Sequence, residues 1–579
     1  MTARGVDLWD VWEWDVVVAP DATPAEQYAA EEFRDHFRRA TGAALPVVRT
    51  AAEGARGHVR IGPGAAGWNA EAFGAEDSRI AAGDGRIAIA GGRPRGTLYG
   101  VYTFLEDCLG VRFLTADHTH VPRLSGPCLV GPLERTVRPR LSFRCPYYGE
   151  NTADPAFAAR LRVNTVTDDA RLGGRDPMTR LTHTFLRQIP SGVHGAAHPE
   201  YYALRDGVRL APFEDDRYET QPCLSHPDVL RIVTDAVLRE IAENPSRGNV
   251  SVCQNDNKKH CQCDACRAVD EREGSAMGSL LTFVNAVADA VAARHPHVKV
   301  GTFAYQYSRR APRRLRPRPN VQIQLCSIEC CMMHAIDDPD CPRNVEFCRD
   351  LADWGRICDD VRIWNYNTNF HNYLLPCPNL RVIEPNVRYF VRNSARGVFM
   401  QAAGNARGAE LCDLRNYMIA GLLWDPSRGG RELFEEFLEL HYAEAAGPIR
   451  RFIDLVHDNA SARGVHHHCF GRAADYGIDG TIAQAGLDAF DEALALACSD
   501  EVRARVEKAS IPALRAALEP VWYAGSPEEV DAALAERMRP LARRLLELCA
   551  RHGVTHAHEY GGIDEARTRL EAVLGLRAG

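Results

Sequence analysis

The sequence predicts an α/β protein built on a (β/α)8 TIM-type barrel, with an N-terminal α/β domain before it and a helical C-terminal domain after it. Three observations lead to this prediction. Short apolar runs alternate with helical patterns from residue 140 to about 427, strands and helices also alternate over residues 1–133, and long amphipathic helices follow residue 428. Alternation of this kind is typical of parallel sheets covered by helices. The 579 residues are enough for more than one hydrophobic core.

The predicted N-terminal domain, residues 1–133, begins with the strand DVVVAP and the amphipathic helix AEQYAAEEFRDHFRRATG, which ends at Gly42. Three further strand patterns, PVVRT, HVRIGPG and GRIAIAGG, precede a second helix, RGTLYGVYTFLEDCLG. Glycine after the last periodic residue is a common helix end. We therefore predict a small α/β accessory domain here.

The predicted barrel, residues 140–427, contains eight strand candidates. They are 141–149, 162–169, a run between 195 and 206, 249–256, 298–305, 320–329, 360–367 and 397–404. The run between 195 and 206 has the least strand-like pattern. Residues 428–579 have long helical patterns, such as RELFEEFLELHYAEAA and PLARRLLELCARHG, which predict a helical domain and a candidate surface for homo-oligomers.

Polar and aromatic residues stand at the ends of several predicted strands. In a barrel, the carboxyl ends of the strands meet on one face, where catalysis takes place. This predicts a set of substrate-binding candidates in strand ends and loops: Glu150, His183, Asn255, Tyr305, Trp364, Asn365, Tyr366, Asn369 and Gln401. The alternatives are that Trp364 is part of the core and that His183 and Glu150 are solvated loop residues.

Two carboxylates are the predicted catalytic residues. Glu329 ends the strand pattern NVQIQLCSIE among cysteines, and apolar, sulfur-rich surroundings favour the protonated carboxyl group that a general acid requires. Asp256 follows the strand pattern NVSVCQND and is the second candidate. The alternatives are an ion pair between Glu329 and an arginine, and a turn formed by Asp256 with its flanking asparagines.

A cysteine cluster is the strongest metal-like pattern. Cys261, Cys263 and Cys266 supply three thiolates within six residues, and Cys253 or His260 would complete a structural zinc site. Disulfide pairing and buried reduced thiols remain the alternatives. A second cluster, His466–His468 with Cys469, lies in the predicted helical domain, where we do not favour metal binding. We expect no cofactor in catalysis.

Composition and charge exclude some partners. The net charge is −8 and the pI is about 6.2, so there is no bulk electrostatic attraction to nucleic acid or to an anionic membrane. No stretch approaches the ~20 apolar residues of a membrane span, and the first residues lack the pattern of an export signal. These observations predict a cytoplasmic protein with no membrane partner.

Several motifs carry a resemblance to known families. The strings QNDNKKHCQCDACRAVDEREGSAMGSLLTFVNAVADAV, CSIECC, WNYNTNFHNYLLPCPNL and LRNYMIAGLLWDP are similar to the DUF4838 domain over roughly residues 140–450. That domain includes glycoside hydrolase family 163, whose activity is endo-β-N-acetylglucosaminidase cleavage of N-glycans. The motifs AAEEF, IGPG, IAIAGGRPRGTLYGVYTFLED and LGVRFL resemble the N-terminal domain of family 20 hexosaminidases and family 67 α-glucuronidases.

The resemblance implies a carbohydrate substrate and a retaining glycoside hydrolase that acts on a β-linked N-acetylhexosamine-containing glycan. Two alternatives stay open: an α-glucuronidase-like or other glycosidase on an acidic sugar, and a carbohydrate-binding barrel without catalysis. The sequence departs from the resembled pattern at Asn365, where a WDY-like motif has an acid, and at Met400, where a FEQ-like motif has one. These departures favour the non-catalytic alternative.

Overall fold

The computed structural model describes residues 4–211 and 220–576, so the outermost residues of the predicted terminal domains, 1–3 and 577–579, lie outside the described residues. The helices up to the end of the second large sheet are α1 Pro24–Thr41, α2 Pro63–Ala66, α3 Gly96–Leu109, α4 Gly149–Ala153, α5 Pro155–Arg160, α6 Phe185–Gln188, α7 Ser191–His194, α8 Pro227–Glu243, α9 Asp264–Glu273, α10 Met277–Arg294, α11 Pro342–Gly355 and α12 Ile383–Arg392. The later helices are α13 Cys412–Trp424, α14 Gly430–Tyr442, α15 Ala446–Ala462, α16 Gly480–Leu496, α17 Asp500–Ala517, α18 Glu519–Trp522, α19 Ala532–Arg551 and α20 Ile563–Leu574.

The strands fall into two large sheets and four short pairs. Those before residue 140 are β1 Val6–Asp7, β2 Trp14–Val18, β3 Val47–Val48, β4 Gly57–Ile61, β5 Ser78–Gly83, β6 Arg86–Gly91, β7 Arg112–Thr115, β8 His118–His120, β9 Leu129–Val130 and β10 Leu133–Val137. The later strands are β11 Phe143–Tyr147, β12 Leu204–Arg205, β13 Val208–Arg209, β14 Asn249–Ser251, β15 Lys299–Ala304, β16 Val321–Cys326, β17 Val361–Tyr366, β18 Gly397–Gln401, β19 His556–His558 and β20 Gly561–Gly562.

The first large sheet is mixed, with strand order β10-β5-β6-β4-β2-β3, and α1 and α3 pack together beside it. Thr23 and Glu26 form a capping box at the start of α1, and Gly42 ends the helix with φ of 83°, a left-handed conformation that favours glycine. Phe33 and Phe37 of α1 stack with ring centroids 5.2 Å apart. The predicted α/β elements of this region are therefore present.

The second large sheet has six parallel strands in the order β11-β18-β17-β16-β15-β14. Its first strand in the chain, β11, pairs with its last, β18, as in a closing barrel, but β14 and β11 are not paired. The fold is thus mixed α/β with an incomplete barrel, and the complete eight-stranded barrel is not formed by the described residues. Six of the eight predicted strands are present, and those at 162–169 and 195–206 are not.

The structure shows why both strand predictions failed. Arg162 has φ of 57°, in the left-handed region, and the Asn164 side chain bonds the backbone of β11 by accepting from the Arg144 N–H at 3.1 Å. The run between 195 and 206 instead contains a 3-10 helix, Pro199–Tyr201, and ends in β12, which pairs only with β13. A left-handed residue and a proline-started turn both interrupt the extended backbone that a strand requires.

Beside β14, hydrogen bonds from the backbone of residues 179–184 to side chains of β14 replace part of the missing strand pairing. The amide oxygen Oδ1 of Asn249 accepts from the Thr179 N–H at 2.7 Å, and Oγ of Ser251 accepts from the Thr182 N–H at 3.3 Å. The Thr184 N–H donates to the Cys253 carbonyl at 3.2 Å. The segment 179–184 therefore follows β14 without forming a strand, and it carries Arg180 and His183.

A buried charge network joins the first sheet region to β11. The Glu76 carboxylate accepts from Arg144 at 2.6 Å, from Arg95 at 2.7 Å and from Asn164 at 2.8 Å. Arg144 also donates to the Arg162 carbonyl. Although burial raises the pKa of Glu76, Arg144 and Arg95 hold it below its ordinary value. Glu76 and its three donor residues are buried. The first sheet region and β11 are therefore joined by a buried network in which the Glu76 carboxylate is fully hydrogen-bonded.

After β18 the chain is mainly helical, from α13 to α20, with the antiparallel pair β19 and β20 between α19 and α20. This pair was not predicted. The domain boundaries at 1–133, 140–427 and 428–579 stay predictions, as does the prediction that the last part is a separate domain. In the described part of the chain, no single helix is long and apolar enough to cross a membrane. Only α9 and α10 taken together have the length and apolar composition of a membrane span, and they are bent by 101° relative to each other.

Candidate active site

A cleft of about 300 Å³ lies where the parallel strands of the second sheet end. Its floor consists of residues at the ends of successive strands: Asp256 after β14, Tyr305 after β15, Cys326 in β16, Trp364 and Tyr366 in β17, and Gln401 in β18. Loops supply the walls: Arg180, Thr182, His183, Ile328, Phe370, Phe470, Glu559 and Tyr560. The expected convergence of strand ends is therefore observed in this cleft.

Asp256 is held in place by neighbouring donors. The Tyr305 hydroxyl donates to its Oδ1 at 2.9 Å, and Nε2 of Gln306 donates to the Tyr305 oxygen at 2.9 Å. Burial, followed by the charge of Asp256, raises the pKa of Tyr305, so the phenol keeps its proton and remains a donor. The Asp256 side chain is 38% exposed, which leaves its carboxylate accessible from the cleft.

His183 presents one ring nitrogen to Asp256. Its Nδ1 lies 2.6 Å from the Gln254 carbonyl oxygen and must donate to it, because a carbonyl only accepts. Nε2 lies 3.9 Å from Oδ1 of Asp256, and the ring packs against Phe303 with centroids 5.0 Å apart. The backbone bond and this packing fix the orientation of the imidazole at the edge of the cleft.

Glu559 is the second carboxylate of the cleft, and sequence reasoning missed it. It lies in the turn between β19 and β20, where its N–H donates to the Phe370 carbonyl at 3.0 Å and its carbonyl accepts from Nδ2 of Asn405 at 2.6 Å. Burial is the main cause of a raised pKa at Glu559; a hydrogen bond with Tyr560 opposes it, and the charge of Asp256 adds to it. Glu559 therefore keeps its proton to a higher pH than an ordinary glutamate does, as a general acid requires.

A local pattern could have found this turn. The stretch THAHEYGG has alternating residues followed by paired glycines, which is a hairpin signal, but it stands between two long helical patterns. Because the surrounding helices dominated the prediction, the short pair β19 and β20 was assigned to them. The missed acid therefore follows from a missed hairpin.

Aromatic rings form the apolar side of the cleft. Nε1 of Trp364 donates to Oε1 of Gln401 at 2.6 Å, and its ring meets the edge of Phe399 at 4.5 Å and of Phe303 at 5.4 Å. These contacts leave Trp364 partly exposed to the cleft and fix the Gln401 amide. Aromatic faces with a few oriented polar groups are typical of sites for small ligands.

Arg180 is a cation in the cleft without an ion-pair partner among the described residues. Its guanidinium lies over the rings of Tyr147 and Phe399, at 4.6 and 5.3 Å from their centroids. Cation–π contacts hold a guanidinium in place without neutralising it. The cleft therefore offers an available positive charge to a ligand.

The other predicted catalytic residue, Glu329, does not line this cleft. Its Oε2 lies 3.2 Å from Nη1 of Arg309, whose Nε lies 2.6 Å from Asp350. The Glu329 side chain is 37% exposed. Glu329 therefore forms the ion pair with an arginine that the sequence analysis gave as the alternative. Its carboxyl group is not unpaired in an apolar pocket.

Four predicted substrate-binding residues also lie outside the cleft lining. Glu150 accepts from the Gly408 N–H and from the Cys412 thiol, and the buried Asn255 accepts from the Leu186 N–H. Asn365 accepts from the Ser327 hydroxyl, and Asn369 donates to the Gly471 carbonyl. These side chains hold the backbone around the site. His183, Tyr305, Trp364, Tyr366, Gln401 and Asp256 are the predicted residues that the cleft contains.

A second, larger cavity of about 410 Å³ lies in the gap between β11 and β14. Its carboxylates, Asp176 and Glu240, are each near an arginine: Asp176 lies 3.6 Å from Arg95 and Glu240 lies 3.2 Å from Arg247. Burial raises the pKa of Asp176, but neither carboxyl group stands at the carboxyl end of a parallel strand, where catalysis takes place in barrels. We therefore place the candidate active site in the smaller cleft.

The cysteine cluster exists, but its fourth member differs from the prediction. Ligand atoms of Cys223, Cys261, Cys263 and Cys266 all lie within 4.8 Å of one another, so this set could hold a metal ion. Cys253 is elsewhere: its buried thiol lies 3.6 Å from the Gly301 carbonyl beside β15. His260, the other predicted ligand, stacks on Tyr307. Cys223 could not be found from spacing because it is far from the other three in sequence.

The hydrogen bonds within this cluster favour a thiolate at Cys223. The Leu204 N–H points at the Cys261 sulfur at 3.3 Å, and the Cys223 and Cys263 sulfurs are 3.7 Å apart. Hydrogen bonds from the Cys261 and Cys266 thiols lower the pKa of Cys223, and the bond to Cys223 in turn raises the pKa of Cys266. Four sulfurs at such separations are compatible with the tetrahedral geometry of structural zinc sites that have four cysteine ligands, with Zn–S of about 2.3 Å.

Comparisons with known proteins agree with the predicted family. The model of the domain of unknown function DUF4838 matches residues 113–454. Among solved structures, a family GH115 4-O-methyl-α-glucuronidase with specificity for decorated arabinogalactans is similar at a TM-score of 0.52 and 11% identity, covering 92% of this chain and 76% of its own. This likeness is one of fold. No curated protein sequence matches the chain at a significant level.

Two further solved structures are similar at lower scores. A GH138 enzyme targeting pectin rhamnogalacturonan II has a TM-score of 0.45 and 10% identity, covering 97% of this chain and 78% of its own. A GH20 exo-β-N-acetylglucosaminidase from Vibrio harveyi has a TM-score of 0.37 and 10% identity, covering 76% of this chain and 75% of its own. Scores at this level carry no argument about the chemistry of the cleft.

Proposed function

The chain belongs to the DUF4838 family, and from that premise and the geometry of the cleft we propose that it is a glycoside hydrolase. The observation that carries the proposal is the presence of two carboxylates, Asp256 and Glu559, in one cleft beside the ring of Trp364. Glycoside hydrolysis needs an acid to protonate the leaving oxygen and a carboxylate to attack or stabilise the anomeric carbon or to activate water. An aromatic face is a suitable platform for a sugar ring.

The two carboxylates have different roles in this proposal. Glu559, whose pKa is raised chiefly by burial, holds the proton and gives it to the leaving oxygen. Asp256, whose Oδ1 accepts from the Tyr305 hydroxyl, acts at the anomeric carbon. We propose a retaining outcome, which NMR observation of the anomeric proton of the first product would test.

Two substrate classes follow from different observations. The resemblance of the motifs to family 163 favours a β-linked N-acetylhexosamine. The guanidinium of Arg180, which has no ion-pair partner among the residues that the structure describes, favours an acidic sugar, because a uronate carboxylate would pair with it. Since Arg180 is part of the cleft itself, the geometry supports the acidic sugar better.

A substrate screen tests the function. Aryl β-N-acetylglucosaminide, β-N-acetylgalactosaminide, glucoside and glucuronide and an N-glycan oligosaccharide would be incubated with the wild type and with Glu559→Gln. Turnover by the wild type alone would support the proposal and identify the sugar. Sugar binding without turnover of any substrate would contradict it and favour the non-catalytic barrel.

Replacing Arg180 should discriminate between the two sugars. Hydrogen bonds to charged groups contribute about 1.5–3 kcal/mol, so we expect Arg180→Gln to raise KM for a uronide by roughly 10–100-fold. KM for neutral glycosides should change little. Arg175→Gln is the matched control, because Arg175 is exposed and paired with Asp168. Equal effects of Arg180→Gln on charged and neutral substrates would rule out the uronate contact.

We also propose that Cys223, Cys261, Cys263 and Cys266 hold a structural zinc ion. Cys223→Ser should purify with one equivalent of zinc fewer than the wild type, measured by inductively coupled plasma mass spectrometry. Cys253→Ser is the control and should keep all the zinc, because its thiol lies at the Gly301 carbonyl. Loss of zinc in the control alone would restore the ligand set predicted from the sequence.

A further inference from the structure

A second group of cysteine and histidine side chains lies outside both the cleft and the Cys223 cluster. Cys331 and His334 come from the loop after β16, Cys341 stands directly before α11, and His466 follows α15. One ligand atom from each lies within 4.8 Å of the other three. Sequence reasoning noted His466 among its neighbouring histidines but connected it to Cys469, not to these residues.

The ligand atoms face one another in two sulfur–nitrogen pairs. Nδ1 of His334 lies 3.3 Å from Sγ of Cys331, and Nδ1 of His466 lies 3.6 Å from Sγ of Cys341. The two imidazole rings are stacked, with centroids 4.0 Å apart. In a tetrahedral site with Zn–S of about 2.3 Å and Zn–N of about 2.0–2.1 Å, ligand atoms are separated by roughly 3.3–3.8 Å. Small side-chain rotations therefore suffice to converge on one ion.

The backbone around these ligands is already fixed. Asn344 of α11 accepts from the Cys331 N–H at 2.9 Å and donates to the carbonyls of Cys331, His334 and Ala335. The Met332 N–H donates to the His467 carbonyl at 2.8 Å, which ties the loop to the segment with His466. Cys331 and Cys341 are buried and His466 is exposed, so an ion can enter from the solvent side.

We propose that Cys331, His334, Cys341 and His466 bind a zinc ion. A tetrahedral set of two sulfurs and two nitrogens is typical of zinc among the divalent metals. Its four ligands are protein side chains, so no position is left for substrate or catalytic water, and its role is structural. The ion would join the loop after β16 to the segment after α15.

This connection reaches the wall of the cleft. Phe470, which lines the cleft, lies four residues after His466, and the Phe370 N–H donates to the Cys469 carbonyl at 2.9 Å. Restricting His466 therefore restricts the segment that positions Phe470. Zinc at this site would order one wall of the cleft whatever reaction the cleft performs.

Metal analysis of the full-length protein tests the proposal. The wild type should hold two zinc equivalents, and His466→Ala should bind one of them at least ~10–100-fold more weakly in competition with a chromogenic chelator. His467→Ala is the matched control, being the adjacent histidine outside the ligand set, and it should keep both. Because His466 is exposed, its replacement should not prevent folding; circular dichroism and thermal melting would check this.

Cobalt(II) substitution separates the two sites. Thiolate-to-cobalt charge-transfer absorption grows with the number of thiolates, so Cys223→Ser, which keeps the site with two thiolates, should absorb less than His466→Ala, which keeps the site with four. Hydrogen exchange adds a structural readout: zinc should slow exchange in residues 463–472 of the wild type but not of His466→Ala. A zinc content and affinity that His466→Ala leaves unchanged, or a disulfide between Cys331 and Cys341, would overturn the proposal.

Discussion

Replacing Glu559 with glutamine should lower kcat by about 10²–10⁴-fold, the usual contribution of a positioned general acid. The amide keeps the size of the carboxyl group but cannot give a proton to the leaving oxygen. Because the Glu559 backbone contacts Phe370 and Asn405 through its own N–H and carbonyl, the exchange leaves those bonds intact. Steady-state kinetics on an aryl glycoside with a poor leaving group would measure the loss.

Glu329→Gln is the decisive comparison for that experiment. Glu329 is the acid that sequence reasoning favours, but its carboxylate is paired with Arg309 outside the cleft. We therefore expect Glu329→Gln to change kcat by less than about tenfold, as for loss of a partly exposed ion pair. If Glu329→Gln abolished turnover and Glu559→Gln did not, the roles proposed for the cleft would be wrong.

The raised pKa of Glu559 also makes a prediction about stability. A carboxyl group with a raised folded-state pKa favours folding below its ordinary value of 4.5, and this contribution is lost as the pH rises through the raised pKa. Glu559→Gln has no such loss. Its free energy of unfolding relative to the wild type, measured by urea unfolding, should therefore increase as the pH rises from below 4.5 through the raised pKa of Glu559. A constant difference would contradict the raised pKa.

The largest effect on stability is expected at the buried network around Glu76. Glu76→Gln leaves the buried guanidiniums of Arg95 and Arg144 without their carboxylate, and removing one partner of a buried pair costs about 3–5 kcal/mol. Urea unfolding near neutral pH would measure the loss. Since the pKa of Glu76 is held below its ordinary value, the difference should diminish as the pH falls through that lowered pKa.

Glu134→Gln is the matched control for Glu76→Gln. Glu134 also pairs with an arginine, Arg79, but its side chain is 67% exposed. Exposed pairs contribute a median of about 0–1 kcal/mol. Equal losses in the two variants would show that the buried network does not hold the first sheet region to β11.

Much of the fold could be predicted because apolar strand runs and helical periodicity are local signals. Six barrel strands were found in this way. The failed one at 162–169 has strand-like residues, but Arg162 adopts a left-handed conformation and Asn164 bonds Glu76, a residue distant in sequence. Contacts of that kind leave no local pattern, and they override the propensity of the run.

The residues of the candidate site also fall into those that local patterns predict and those that only the folded chain brings together. Asp256, Tyr305, Trp364, Tyr366 and Gln401 could be predicted because strand ends of a parallel sheet converge by geometry. Glu559 could not, since it arrives on a hairpin between helices that are far along the chain. The cysteines behave alike: Cys261, Cys263 and Cys266 are close in sequence, whereas Cys223 joins them only in the folded chain.

The position of Glu559 has a consequence for how this chemistry is inherited. The family match ends at residue 454, so it includes Asp256 but not the turn between β19 and β20. Under the proposed roles, the carboxylate that acts at the anomeric carbon lies in the matched segment and the acid lies outside it. Under these roles, a relative that matches over 113–454 but has no carboxylate in this turn should lack the proposed acid.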